Sequence, residues 1–450
     1  MAVQTIKLDY NPLPWQRELH LSNATFKCAV GGFGSGKTRW LIEEAIHLLL
    51  KYPNNYGVIL RKTYPELDDT TKKLFLDRIP PVLIKDIKEA KREYTFVNNS
   101  KVIFRAFSDL NKIKNLDIGF FAIDQAEELS EPYFWLLASR FKLPYKHIKY
   151  EGLLAANPAG KNWIWRVFMV EKKDDPDFKI IISKTEDNKI NLPEGYIERL
   201  KQIYPEKWID RYLNASFDDF SGNVFYAYKS TCRQNLTDFK FNDSNRYKVY
   251  VAIDPGITNP TGVLFAAVDI IDHKIYVFDE IYETNQLPEN IVFLIKRKIE
   301  KWQIEKVWQF LIDPAALQRE MVSKKTLFNE YRKLGLNVIA ADRNLQMGII
   351  KVNKAFENNK IIINFTLTNL IREIEEYVWE EPKKVIEEGY NAPEKPKDKN
   401  NHLCDCLRYI VMNIPDRYIY EDVEQSEIER QNFIKTRYNI IYSKKRLTPY

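Results

Sequence analysis

Between positions 24 and 165 apolar residues fall in short continuous runs separated by stretches with helical spacing. Phe26–Val30 reads as a strand, a glycine-rich break follows, Thr38–Leu50 predicts a helix, and Tyr56–Arg61 predicts a second strand. Strand, helix, strand at that spacing implies a parallel sheet. From Leu192 to Asp219 the pattern turns helical, with Trp208, Tyr212 and Leu213 on one stripe and Pro193 and Pro205 as punctuation. This segment reads as a helical linker. From Arg246 the style changes. Tyr247–Ile253, Gly262–Val268 and Lys274–Tyr282 are successive strand-like runs, and the polar turn between the last two predicts an antiparallel meander. A helix over Pro288–Trp302 then leads into an apolar strand, Val307–Ile312.

The expected class is α/β. An N-terminal domain with a parallel sheet spans 1–190, a helical linker 191–222, a second domain with a mixed sheet 223–420, and a polar tail 421–450. Three antiparallel strands, a helix and a further strand is the order of the ribonuclease-H-like fold. In the tail, acidic residues at 421–429 give way to basic ones from Arg430 to Arg446, suiting either a partner-binding arm or a frayed end.

A chain of 450 residues with 45% hydrophobic and 13% aromatic positions can bury sizeable cores and is neither fibrous nor disordered. No apolar run is long enough to span a bilayer, and Met1-Ala-Val-Gln-Thr5 lacks the layout of a secretory signal, so a soluble, intracellular protein is expected. Four cysteines cannot build a disulfide framework, and the single C-x-C at Cys404 and Cys406 has no second pair with which to hold zinc. The net charge of +6 permits nucleic-acid binding without arguing for it.

Gly31-Gly-Phe-Gly-Ser-Gly-Lys-Thr38 fits G-x-x-x-x-G-K-[ST], with a strand before it and a helix after. Glycines such as Gly31, Gly34 and Gly36, with Ser35, let backbone N–H groups turn inward around phosphates. Lys37 would reach the terminal phosphates of ATP and Thr38 would hold Mg²⁺. Gly119-Phe-Phe-Ala-Ile-Asp124 is a buried-strand run whose final Asp suits the metal's water shell. The attacking water also needs orienting, and Gln125, Glu127 and Glu128 are the candidates, with Glu127 preferred. Arg61 and Arg140 could stabilise the leaving phosphate. Asn157 follows another apolar strand where a γ-phosphate sensor would lie, and Gln16, upstream of the P-loop, could read the adenine edge. Each arginine is more often a surface or salt-bridge residue.

In the second half, Val249–Asp254 and Val307–Asp313 each deliver an Asp as a strand ends, and Asp405 lies in the first turn of a helix beginning at His402. Carboxylates so placed can converge on two Mg²⁺ or Mn²⁺ ions about 4 Å apart, activating water and stabilising the leaving oxygen of a phosphodiester. Glu280, on the third strand, is a possible fourth ligand, with Asp342 and His402 behind it; Lys351 and Trp379 could touch DNA or simply be solvated or core.

Together, Leu13-Pro-Trp-Gln16, the P-loop, Leu60-Arg-Lys-Thr63, Ile123–Glu128, Ala156-Asn-Pro158, Ile253-Asp-Pro-Gly256, Leu311-Ile-Asp-Pro314 and His402-Leu-Cys-Asp405 are similar to the motifs of large terminase subunits of tailed bacteriophages, in the same order. Residues 10–415 carry the resemblance. It implies a RecA-like, ASCE-type ATPase domain followed by an RNase H-like (RuvC-like) nuclease domain. It also implies ATP-driven packaging of concatemeric double-stranded DNA through a portal protein into a procapsid, with cuts at start and finish. A small terminase subunit, a homo-oligomeric ring, commonly of five subunits, and a place in the host cytoplasm during virion assembly but not in the mature virion come with it. Gln125, where an acid is common, leaves the water-orienting group open. The alternative reading is a cellular translocase or repair helicase fused to a nuclease; a non-enzymatic assembly protein would have no need of these catalytic side chains.

Overall fold

The computed structural model describes residues 9–218, 220, 222–256, 259–317, 326–380 and 395–420. The polar tail 421–450 lies outside them. The chain packs as two compact units: one runs to Lys201 and resumes at Glu206, the other begins at Gly222, runs to Trp379 and resumes at Pro396.

The first unit is built on an eight-stranded sheet ordered β3-β4-β5-β2-β6-β7-β1-β8. Its strands are β1 (Phe26–Gly31), β2 (Tyr56–Arg61), β3 (Ile84–Lys88), β4 (Glu93–Phe96), β5 (Lys101–Ala106), β6 (Phe120–Asp124), β7 (Glu151–Ala156) and β8 (Phe178–Ser183). All pairings from β5 to β8 are parallel; only the β3–β4–β5 edge is antiparallel. The parallel strands read as unbroken apolar runs because both faces are covered. Ala29, Phe120, Ala122, Leu153 and Ala155 face one core with the helix Lys37–Lys51. Their neighbours Cys28, Phe121, Ile123, Leu154 and Ala156 face another with Phe134, Leu137 and Trp163. One buried position on β1 is charged: the Lys27 ammonium lies 2.7 Å from Glu44 and 2.8 Å from Glu151, all three buried.

The segment read as a linker forms two short helices, Tyr196–Ile203 and Glu206–Tyr212. Trp208 and Leu213 are buried, and the Tyr212 carbonyl accepts from the Phe33 N–H at 2.6 Å. The second of these helices therefore packs against the P-loop.

The second unit contains a seven-stranded sheet ordered β14-β13-β10-β11-β12-β15-β9. The strands are β9 (Arg233–Gln234), β10 (Tyr247–Asp254), β11 (Thr261–Asp269), β12 (Lys274–Glu283), β13 (Val307–Ile312), β14 (Val338–Ala340) and β15 (Ile361–Asn364). β10, β11 and β12 form the antiparallel meander, while β13 joins β10 in parallel. Every residue of β11 is buried, as a central strand covered on both faces must be. One face packs on the helix Pro288–Lys301 through Ile291, Val292 and Ile295. The helix His402–Asn413 seats over the other. A Cβ at Gly262 would lie 3.1 Å from His402 Cβ, so glycine there lets the helix approach the strand. No described helix is long and apolar enough to cross a membrane.

Candidate functional site

In the first unit the sheet order decides the chemistry. β7 separates the P-loop strand β1 from β6, and all run parallel, so the chain leaves each at the same sheet edge. Gly31–Thr38, Asp124 and Asn157 are thereby brought together, with Arg61 arriving from the end of β2. The P-loop backbone needs its glycines. Gly36 sits at φ +94° as the helix begins, and a Cβ on Gly31 would come within 2.3 Å of Ser183 Oγ.

Lys37 donates to the Gly32 carbonyl at 2.8 Å, and burial lowers the ammonium's pKa despite the opposing charges of Glu127 and Asp124. The Thr38 hydroxyl donates to one Asp124 oxygen at 2.9 Å. Gln16 is buried and its amide donates to the Gly36 carbonyl at 2.9 Å, while its oxygen accepts from Leu13 N at 2.8 Å and Tyr10 OH at 3.1 Å. It is thus fastened to the P-loop itself.

Gln125, Glu127 and Glu128 are treated quite differently. Gln125 adopts φ +55°, a left-handed conformation that strains most residues and here turns the chain sharply after β6. Glu127 accepts from the Asn157 N–H at 3.0 Å and its amide at 2.7 Å. Burial raises its pKa to about 7, although these hydrogen bonds and the Lys37 charge pull the other way. Glu128 points outward, 3.5 Å from Lys62. Asn157 therefore acts on Glu127, which links two residues that the sequence leaves separate.

Arg61 lies 3.5 Å from the second Asp124 oxygen. Arg140 is not part of this cluster. Its guanidinium donates to the Lys114 carbonyl at 2.5 Å, and its own carbonyl accepts from Ile118 N, just before β6 begins. That is the opposite edge of the sheet from Asp124, which ends the same strand, so the structure does not bring Arg140 to this chain's own P-loop. Ser183, Thr185 and Asn188 have no motif of their own, yet they prop the P-loop. They bond Ser35 Oγ at 3.1 Å, the Phe33 carbonyl at 2.8 Å and the Gly34 carbonyl at 2.6 Å.

In the second unit the parallel register pairs Ile253 with Ile312, and Asp313 N donates to the Ile253 carbonyl at 3.1 Å. Asp254 and Asp313 are consequently neighbours at one sheet edge and line a cavity of about 120 Å³. Asp254 also pairs with Gly262, the position over which the last helix seats, so His402 Nδ1 comes 2.7 Å from Asp254. One and two turns further on, the same helix supplies Asp405 and Tyr409. The Tyr409 hydroxyl donates to Asp313 at 2.6 Å, and Arg408 holds Asp405 at 3.0 Å. Burial, with the charges of Asp405 and Asp313, raises the Asp254 carboxyl to about 6 against the pull of His402; burial raises Asp405 as well.

These are hard oxygen donors with mutual repulsion, which suits divalent cations. As placed, each carboxylate is turned to a helix partner, and among the described residues no three His, Cys, Asp or Glu side chains already converge on one point. Glu280 is turned away from these acids: both its oxygens accept from the start of the helix Thr368–Glu376, at 2.9–3.0 Å from Asn369 and Leu370, and cap it. Asp342 bonds Asn344 N at 2.9 Å, Lys351 pairs with Asp416 at 2.7 Å, and Trp379 is buried. The buried Glu373 was not legible in advance; it accepts from Leu403 N at 2.6 Å and caps the helix that carries Asp405.

Residues 23–212 match the family described as phage terminase large subunit. The large terminase subunit of Escherichia phage T5 is 24% identical over 275 residues, spanning 59% of this chain and 58% of that protein, less than two-thirds of its length. The large terminase of a thermophilic bacteriophage has a similar structure, with TM-score 0.63 and 18% identity over 90% of this chain and 99% of that one. Its complex with ADP aligns at TM-score 0.60 and 19% identity, over 89% and 99% of the two chains. The two-unit α/β fold, a parallel-rich sheet followed by a mixed sheet, is accordingly that of the large terminase structures it resembles.

Proposed function

We propose, for a chain whose residues 23–212 match the phage terminase large subunit family model, that the first unit is an ATP-hydrolysing DNA translocase and the second a metal-dependent DNA endonuclease. The observation carrying this reading is the Thr38–Asp124 hydrogen bond across the sheet edge. It couples the P-loop to a strand-end acid, as Mg²⁺-nucleotide chemistry requires. The thermophilic phage's large terminase is described in complex with ADP and with ATP-γ-S, which supports a nucleotide here.

In this reading residues 1–190 form the motor, 191–222 join it to the nuclease of 223–420, and 421–450 are a tail. Lys37 neutralises the transferred phosphate, and Gln16 holds the P-loop end against which adenine would lie. Glu127, raised toward neutrality and held by Asn157, orients the attacking water and takes up its proton. Arg61 offers positive charge beside Asp124. Mg²⁺ bound through Thr38 and Asp124 would screen the phosphate charge.

In the nuclease, Asp254, Asp313 and Asp405 would hold two Mg²⁺ or Mn²⁺ ions, which activate water and stabilise the leaving oxygen. His402, Tyr409 and Arg408 keep the three carboxylates aimed. The substrate is concatemeric double-stranded DNA, moved through a portal protein by a ring of subunits, commonly five, after selection by a small terminase subunit in the host cytoplasm. Purified protein should hydrolyse ATP and cut plasmid DNA with Mg²⁺ or Mn²⁺. Cutting that persisted in EDTA would overturn the nuclease assignment, and absence of ATP turnover would overturn the motor.

A further inference from the structure

The helical segment that follows β2 is not uniform. An α-turn, Tyr64–Glu66, passes into a π-helix, Leu67–Lys72, before the α-helix Lys73–Arg78. Its buried seam is Leu67, Thr71 and Phe75, each fully buried, and two of the three are plain core residues. The third carries a hydroxyl into the interior, where an unpaired one would be costly. Its partner is the acid at the end of β6: Thr71 Oγ1 donates to Asp124 Oδ2 at 2.7 Å. Thr38 donates to the other oxygen, Oδ1, at 2.9 Å. The neighbouring Thr70 hydroxyl donates to the Glu66 carbonyl at 2.6 Å and is bonded by Arg61. Single π-turns inside helices recur at functional sites because they redirect one side chain.

We propose that Thr71 is a positioning residue for the nucleotide's metal, fixing the plane of the Asp124 carboxylate from the side opposite the P-loop. This rests on the ATPase reading above. Mg²⁺ held at the Thr38 oxygen would leave that hydroxyl's proton directed at Asp124 Oδ1, so the carboxylate would be gripped from the P-loop on one oxygen and by Thr71 on the other. Thr71 keeps the carboxylate from rotating, with Arg61, at 3.5 Å, as the longer contact on the same oxygen. A valine would fill the same space in the seam, so packing alone does not require the hydroxyl.

The test uses the full chain and a fluorescent ADP titrated at a series of Mg²⁺ concentrations, with ATP turnover measured in parallel. Thr71→Val should bind the nucleotide without Mg²⁺ as the wild type does, yet need roughly tenfold more Mg²⁺ for the tight complex, the loss expected for one hydrogen bond to a charged group. Thr71→Ser keeps the hydroxyl and should stay within about twofold of wild type. An unchanged Mg²⁺ requirement in Thr71→Val would overturn the proposal alone. So would a tenfold shift in Thr71→Ser, which also decides the matter if the valine variant folds poorly. A wild-type protein whose nucleotide binding ignored Mg²⁺ would overturn the ATPase reading and this proposal with it.

Discussion

The two sites carry opposite electrostatic errors. At the P-loop a cation, Lys37, is held where burial lowers its pKa. At the end of β10 an anion, Asp254, is held where burial and two neighbouring carboxylates raise its pKa to about 6. Each site concentrates the charge that its own surroundings disfavour, and in the proposed function each would be relieved by a ligand of the other sign: phosphate in one, divalent metal in the other. The supports differ in kind as well. The P-loop is propped by neutral donors, Ser183 at the end of β8 and Thr185 and Asn188 just after it. The nuclease acids are aimed by one helix, His402–Asn413, whose successive turns supply His402, Asp405 with Arg408, and Tyr409.

That contrast can be broken first at its foundation. On β1, Lys27 lies between Glu44 and Glu151, and Lys27→Met would remove the cation that the two buried carboxylates share, leaving only His20 to Glu44 and Lys149 to Glu151. It should lose about 3–5 kcal/mol of stability in urea unfolding of the first unit. A loss below about 1 kcal/mol would show that the pair sits in a wetter setting than its burial indicates. Within the motor, Glu127→Gln should bind ATP but turn it over about 100-fold more slowly, whereas Glu128→Gln should stay within severalfold of wild type. The reverse result would transfer the water-orienting role to the exposed glutamate.

The same network makes an acid-lability prediction. Burial alone would raise Glu44, but His20 and Lys27 outweigh it and hold the carboxyl at about 2, below its ordinary 4.5. A depressed carboxylate stabilises the fold above its unfolded pKa and loses that stabilisation as pH falls through the folded value. Stability of the first unit should therefore decline between about pH 4.5 and 2, more steeply than in Glu44→Gln measured by the same melts. The smallest effect concerns Glu280. As a helix cap its removal in Glu280→Ala should cost about 1 kcal/mol of stability. DNA cutting should keep its normal metal requirement; a raised requirement would restore Glu280 as a ligand.

Much of this was legible because the relevant chemistry is local in sequence. The P-loop is eight residues that specify their own turn, and Asp254, Asp313 and Asp405 announce themselves at the ends of apolar runs or the start of a helical one. The paired strands of the meander were equally readable from their apolar runs and the polar turn between the last two. Illegible features depend on register between distant segments. Glu280 and Asp254 look alike as acids at or near strand ends, yet the packing of the helix Thr368–Glu376 claims the first and leaves the second facing Asp313. Arg140 is short in sequence distance from Asp124 but returns to the start of β6 rather than its end. Thr71 gave no signal, since a π-turn has no distinctive composition, and the β3–β4 edge hairpin was hidden by its exposed, charged residues.

The central claim is that the two charge-opposed sites work independently on one chain. It is tested most directly by measuring ATP turnover and plasmid cutting on the same preparations of Lys37→Ala and Asp254→Asn. Lys37→Ala should abolish hydrolysis, because the lysine is the main charge clamp on the transferred phosphate, while metal-dependent cutting continues. Asp254→Asn should abolish cutting in Mg²⁺ and Mn²⁺ alike and leave ATP turnover near the wild-type rate. Normal cutting by Asp254→Asn, or normal hydrolysis by Lys37→Ala, would contradict the account.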